Sequence, residues 1–276
     1  MSLKFTKMHG CGNDYIYVDC FNGMPENVPE LSQKLSPRHF AVGSDGIICI
    51  CKSDIADARM RMFNADGSES PMCGNGVRCV AQWLFEHGIV GDVASVETGA
   101  GIKTMRRVGE NGWTVDMGIA SFEPASLPVA GLGENPIIGG ELMVSGRAWP
   151  ITCISMGNPH CITIVKDTAA IEIEKLGPSF EHHAAFPEGV NTEFIQVVDE
   201  THLKMRVWER GSGETLACGT GASAAAAACV ALGYCRQETP IQVQLLGGTL
   251  TIEVDKEWRV HMTGPAVTVY EGETKI

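Results

Sequence analysis

An internal repeat constrains this chain more than any other feature. At a constant offset of 145 positions, Gly12-Asn13 matches Gly157-Asn158, Met60-Arg61 matches Met205-Arg206, and Glu69 matches Glu214. Cys73, Gly74 and Gly76 match Cys218, Gly219 and Gly221, Gly88 matches Gly233, and Trp113, Val115 and Met117 match Trp258, Val260 and Met262. One ungapped offset held from residue 12 to residue 117 describes two copies of one folding unit. A chain of 276 residues has room for both. The expected fold class is α+β, with two pseudo-symmetric domains and an active site in the cleft between them. The expected boundaries are 1–118 plus 264–276 for the first domain and 119–263 for the second. The tail after Met262 exceeds the repeat and is expected to complete the sheet of the first copy.

Local patterning agrees between the copies. Phe5 to Asp19 reads as a strand broken by a turn at Gly10-Cys11-Gly12-Asn13. Ala58–Phe63 and His202–Trp208 alternate with period two, as half-buried strands do. Each is followed by a Gly/Ser/Glu loop, a Cys-Gly-x-Gly turn and a helical stretch. The spacing predicts helices over about 75–86 and 220–232, stopped by Gly88 and Gly233. Ala222 to Ala228 contains only Ala and Ser, so the second helix has no polar face and must be buried. The predicted unit is a curved sheet or barrel around one central buried helix, with strands such as 112–117 and 249–254 following it.

Composition excludes several classes. A net charge of −12 repels phosphate backbones, so no nucleic acid is expected as a partner. No apolar run is long enough for a membrane-spanning helix, and the first residues lack a signal-peptide core, so a cytoplasmic protein is expected. The 11 cysteines are odd in number and contain no Cys-x-x-Cys pair, which argues for reduced thiols and no metal site. Cys49, Cys51, Cys79, Cys153, Cys161 and Cys229 read as small buried apolar residues.

Cys73 and Cys218 read differently. Each stands at a loop-to-helix junction, where free N–H groups and the helix dipole favour a thiolate. Gly74 and Gly219 let a ligand approach the backbone, and the N–H groups of the same turn can hold a carboxylate. A substrate carbon between two such sulfurs could lose a proton to one and gain a proton from the other. That inverts a stereocentre without redox chemistry. The α-proton of an amino acid is a weak acid, so N–H donors aimed at the developing enediolate are the device required. Nothing marks a lysine for pyridoxal phosphate, and no cofactor is expected.

The motifs Met8–Asp14, Phe63–Glu69, Met72–Cys79, Met156–Cys161, Trp208–Thr215 and Ala217–Ala222 closely resemble the diaminopimelate epimerase family over nearly the whole chain. The resemblance implies interconversion of LL- and meso-2,6-diaminopimelate, a step toward lysine and peptidoglycan precursors. It also implies a pyridoxal-independent two-base mechanism, two domains that close on the substrate, and a homodimer. Carried over, Cys73 and Cys218 are the acid/base thiols. Gly74-Asn75 and Gly219-Thr220 hold the reacting carboxylate through backbone N–H groups. Asn13, Asn64, Asn158, Asn191, Glu209 and Arg210 read the substrate, and His160 and Glu209 tune the sulfurs. Arg210 suits a distal carboxylate, which guanidinium binds bidentately. One departure is Gly46, where many family members carry glutamine, and Gly46 is left out of the contacts.

Blander readings stand beside these. Gly12-Asn13 and Gly157-Asn158 could be ordinary turns. Glu209 and Arg210 could be a solvated ion pair. His160 could cap a strand end after Pro159. A proline or hydroxyproline racemase is the nearest rival function, and it would leave Arg210 without a distal partner. A thiol redox or metal-binding protein is the rival of a different class.

Overall fold

The computed structural model describes residues 2–133 and 135–275. The fold is a mixed, sheet-dominated one with few helices, and it divides into two compact units. The first comprises Met1–Asp116 with Thr263–Ile276, and the second Met117–Met262.

In the first unit the chain lays down β1 (Ser2–Gly10), β2 (Asn13–Cys20), α1 (Val28–Leu35), β3 (Gly46–Cys51), β4 (Ala58–Asn64) and β5 (Glu69–Ser70). Then follow α2 (Gly74–Glu86), β6 (Val93–Thr98), β7 (Gly101–Val108) and β8 (Gly112–Ile119). The β1–β2 hairpin turns at Cys11-Gly12, both at positive φ. β2 and β3 run parallel, as do β4 and β6, and the other neighbours in this series are antiparallel.

α2 packs against β1, β2, β6 and β7, so the sheet curves around it. Val77, Cys79, Val80, Ala81 and Leu84 are wholly buried on it. Its buried polar groups are partnered: the Trp113 indole N–H donates to Gln82 Oε1 at 2.8 Å, and the Trp83 indole N–H donates to Thr6 Oγ1 at 3.2 Å. A helix amphipathic by sequence is thereby submerged on all sides.

The second unit holds β9 (Gly140–Val144), β10 (Arg147–Ser155), β11 (Pro159–Ile164), α3 (Ile173–Glu181), β12 (Asn191–Asp199), β13 (His202–Glu209) and β14 (Gly213–Glu214). They are followed by α4 (Gly219–Ala231), β15 (Ile241–Leu245), β16 (Gly248–Val254) and β17 (Arg259–Pro265). β11–β12 and β13–β15 are parallel, whereas β9–β10, β10–β11, β12–β13 and β15–β16 are antiparallel. Residues Ala222 to Ala228 of α4 are all fully buried, against β10, β11, β12, β13, β15 and β16. Side chains this small let strands approach the helix from every direction.

α2 and α4 have 13 residues each and start 145 positions apart. Gly88 (φ 69°) and Gly233 (φ 78°) end them, with Ile89 and Tyr234 N–H groups returning to Leu84 and Cys229 carbonyls. The last strand, β18 (Val267–Lys275), pairs antiparallel with β1 from Ser2↔Lys275 to His9↔Val267, and so completes the first unit's sheet. Cys49, Cys51, Cys79, Cys153, Cys161 and Cys229 are all buried free thiols. No helix among the described residues is long and apolar enough to cross a membrane.

Candidate active site

Cys73 is the N-cap of α2, with extended backbone (φ −136°, ψ 122°). Its Sγ accepts the Gly76 N–H at 3.4 Å and donates to Asn13 Oδ1 at 3.2 Å. Asn13 opens β2, and its Nδ2 donates to Asp45 Oδ2 at 2.8 Å. Cys218 is the N-cap of α4 with nearly the same backbone (φ −117°, ψ 112°). Its Sγ accepts the Gly221 N–H at 3.3 Å and lies 3.4 Å from Thr220 Oγ1. Each sulfur therefore caps one helix, and the first helical turn beyond it presents N–H groups that the helix ladder cannot satisfy.

The glycine two residues after the helix start matters sterically. A Cβ at Gly76 would lie 2.7 Å from Ile48 Cδ1, and one at Gly221 would lie 2.6 Å from Glu193 Oε1. The comparison shows what surrounds each cap: an apolar side chain in the first unit, a carboxylate in the second.

The second unit concentrates charge around its cysteine. His160 and Glu193 are both wholly buried, and His160 Nδ1 is 2.7 Å from Glu193 Oε1. His160 Nε2 is 3.0 Å from Asn158 Oδ1, and Asn158 Nδ2 donates to Thr220 Oγ1 at 3.4 Å. Glu209, at the end of β13, accepts from the Thr215 hydroxyl. Burial pushes the Glu209 carboxyl above the usual carboxylate range, against the opposing hydrogen bonds from Thr215 and the Cys218 thiol. Burial likewise pushes the Cys218 thiol well up, and the nearby Glu209 and Glu193 carboxylates push it further. Among the described residues no cluster of His, Cys, Asp or Glu has the geometry of a metal site.

The matching family model, diaminopimelate epimerase, aligns with residues 5–123 and 152–269. A diaminopimelate epimerase of Desulfovibrio desulfuricans is 49% identical, covering 99% of this chain and 98% of its own. One from Acetivibrio thermocellus is 48% identical over 99% of both chains, and one from Methanococcus maripaludis is 48% identical over 99% of this chain and 100% of its own. The chain belongs to the diaminopimelate epimerase family. Solved structures share the fold at low identity. A PhzF-family phenazine biosynthesis protein of Bacillus anthracis superposes with TM-score 0.74 at 21% identity, covering 100% of both chains. A hydroxyproline epimerase of Agrobacterium vitis superposes with TM-score 0.69 at 15% identity, over 99% of this chain and 92% of that one.

Against this family background, several expected residues sit otherwise than the sequence suggests. His160 is the second residue of β11, at the start of the strand as its place after Pro159 suggests, but it is more than a cap. It stands in register with Asn191, and its ring is held at both nitrogens. The charge of Glu209 is not spent on Arg210. Arg210 Nη1 instead donates to the Glu188 carbonyl at 3.0 Å, and Arg210 makes no ion pair among the described residues. Asn191 is buried and braces the loop beside it, with Nδ2 on the Pro159 carbonyl (2.9 Å) and Oδ1 taking the Arg210 N–H (2.9 Å). Asn64 closes β4, and its Nδ2 reaches Ser68 and Ser70 hydroxyls, both at 2.9 Å. The Asn75 side chain turns into the fold, where Oδ1 accepts from Arg78 at 2.8 Å.

In this chain the backbone around position 46 is fitted to glycine. Its φ is +152°, and a Cβ would stand 2.0 Å from the Phe63 carbonyl oxygen. No glutamine side chain can start there without moving β4.

Glu193 and Asp45 escaped the sequence reading. Glu193 had only a faint signal, a charged residue directly before the apolar pair Phe194-Ile195 in a strand that also carries Asn191, Thr192 and Gln196. Asp45, in the segment before Gly46, carries no comparable signal.

Proposed function

We propose that this chain is an isomerase that interconverts LL- and meso-2,6-diaminopimelate by α-proton transfer, without pyridoxal phosphate or a metal. The reading places it in lysine and peptidoglycan-precursor biosynthesis, in the cytosol, as a homodimer. The observation that carries it is the paired cysteine N-cap, built twice at repeat-equivalent positions, with N–H groups beside each sulfur. In this reading the two units are copies of one fold acting on one substrate carbon.

One sulfur removes the α-proton as thiolate, and the other returns a proton from its thiol. The N–H groups of Gly74-Asn75 and Gly219-Thr220 hold the carboxylate as it becomes enediolate-like, where fixed donors stabilise most. Cys218 starts as a thiol hydrogen-bonded toward Glu209, so Glu209 is the group that accepts its proton when Cys218 must act as base. Arg210, engaged at one nitrogen by a carbonyl and by no carboxylate among the described residues, has the guanidinium face left for a distal carboxylate. Asn13, Asn64, Asn158 and Asn191 supply amide donors and acceptors to the same ligand.

The rival proline-type racemase would handle a substrate with no distal carboxylate for Arg210. Its solved relatives are 15–16% identical to this chain, against 48–49% for the full-length diaminopimelate epimerases named above. Reduced protein given LL-diaminopimelate, and separately L-proline and trans-4-hydroxy-L-proline, with no added cofactor, tests the choice by chiral chromatography. Inversion of diaminopimelate alone is expected. Inversion of proline or hydroxyproline alone would select the rival.

A further inference from the structure

Asn13 and Asn158 occupy the same position in the repeat, yet they present opposite ends of their amides to their surroundings. Asn13 turns its carbonyl oxygen to Cys73 Sγ (3.2 Å). Asn158 turns its carbonyl oxygen away, to His160 Nε2 (3.0 Å), and its Nδ2 to Thr220 Oγ1 (3.4 Å), the hydroxyl beside Cys218. An amide can rotate by half a turn without moving the backbone, so its partners decide which end faces where.

For Asn13 the partner is Asp45. An ionised carboxylate only accepts hydrogen bonds. Asp45 Oδ2 takes Asn13 Nδ2 at 2.8 Å and the Asp14 N–H at 3.1 Å, while Oδ1 takes Arg38 Nη2 at 2.8 Å. Arg38 also grips Asp14 at 2.6 and 3.2 Å, and Lys7 pairs with Asp14 from the other side. The carboxylate is thus fixed on both oxygens. With the Asn13 NH2 group committed to it, only the carbonyl oxygen is left to meet the sulfur.

We propose that Asp45 is a positioning residue for Cys73: by locking the Asn13 amide it keeps an acceptor oxygen against Sγ and so holds Cys73 as the thiol, ready to donate a proton. The inference rests on reading Cys73 as a proton-transferring sulfur. A thiolate at Sγ would face oxygen lone pairs, whereas a thiol donates to them. Other groups acting on Cys73 include the Gly76 N–H at the start of α2, Arg78 and Cys79 within α2, and Tyr17 on β2, while β3 contributes apolar Ile48 next to Gly76. None of these reverses its hydrogen-bonding sense by a simple rotation. In the second unit the corresponding anchor is the imidazole of His160, already engaged by Glu193, so no carboxylate takes the Asn158 amide nitrogen.

The test is the pH dependence of Cys73 alkylation by iodoacetamide in reduced, full-length protein, read at each cysteine by peptide mass spectrometry. In Asp45→Asn the new amide can donate to Asn13 Oδ1, Asn13 turns, and its N–H group meets Sγ. The Cys73 midpoint is expected to fall by roughly one pH unit. Asn13→Ala removes the acceptor and is expected to lower the midpoint on its own. Adding Asp45→Asn to Asn13→Ala is expected to change nothing further. Arg38→Gln keeps the carboxylate and should leave the midpoint in place.

An equal shift from Asp45→Asn with and without Asn13 would mean the charge acts through space and would overturn the proposal. So would an unchanged midpoint in Asp45→Asn, or an unchanged or raised midpoint in Asn13→Ala, which reads the idea even if the Asp45 variant does not fold. Alkylation needs no substrate, so this outcome is independent of the isomerase assay.

Discussion

At the scale of single residues, the two cysteines were legible because each appears in the same four-residue turn at the same place in a repeat. Their supporting groups were legible only in part. Glu209 and His160 belong to recognisable motifs, but which group each serves depends on strand register, which one sequence does not display. Glu193 reaches His160 across the parallel β11–β12 pair, and Asp45 reaches Asn13 from the segment leading into β3. Removing the Glu209 carboxylate separates its two effects. Glu209→Gln is expected to slow isomerisation by about 100-fold or more, the usual range for losing a general base. It is also expected to lower the Cys218 alkylation midpoint, because one like charge beside a buried thiol is gone. A raised Cys218 midpoint would show that Glu209 does not act on this sulfur as a like charge.

At the scale of elements, helices α2 and α4 and strands β4 and β13 were readable because their periodicities are long and clean. The short helices were not. α3 contains Gly177-Pro178, a pair that argues against a helix, yet it forms because Phe180 packs edge-on against Trp149 and Phe194 (5.7 and 5.6 Å between centroids). Tertiary burial overrides local propensity there. The same closeness of packing makes two glycine substitutions informative. Gly46→Gln is expected to destabilise the fold by about 3 kcal/mol or more in urea denaturation, since its Cβ would overlap the Phe63 carbonyl at 2.0 Å in a positive-φ conformation. Gly221→Ala is expected to cost about 1–3 kcal/mol, because its Cβ would press on Glu193 Oε1 (2.6 Å) and Cys218 Sγ (3.2 Å).

At the scale of the whole molecule, buried thiols couple stability to pH. Cys20 is pushed up to about 12, chiefly through its hydrogen bond with Cys49, and Cys79 to about 12 by burial. In the unfolded chain these thiols titrate near about 8.5. Between those values the folded protein binds more protons than the unfolded one, so stability is complete below about pH 8 and falls as pH rises through 9 to 11. The expected result is a thermal midpoint that declines steadily over that range in reducing buffer, followed by far-UV circular dichroism. The decline should shrink in Cys20→Ser/Cys79→Ala, provided the variant folds at neutral pH.

The repeat also shows where the two halves of the sequence diverge. Asn64 aligns with Glu209, Ala65 with Arg210, Tyr15 with His160 and Ile48 with Glu193. The capped cysteines recur, whereas the charged groups around them do not. A substrate with one reacting centre and one distant carboxylate calls for that division.

The central claim of the proposed function is that one of Cys73 and Cys218 removes the α-proton while the other delivers a proton to the opposite face, and its most direct test is solvent isotope uptake. Reduced protein and LL-diaminopimelate are mixed in D2O without added cofactor, and deuterium at the α-carbon is followed together with stereochemistry. The account predicts deuterium in the inverted product, and loss of inversion in both Cys73→Ala and Cys218→Ala with the fold intact. Inversion that persists in either variant, or inversion by the parent protein without deuterium uptake, would contradict it.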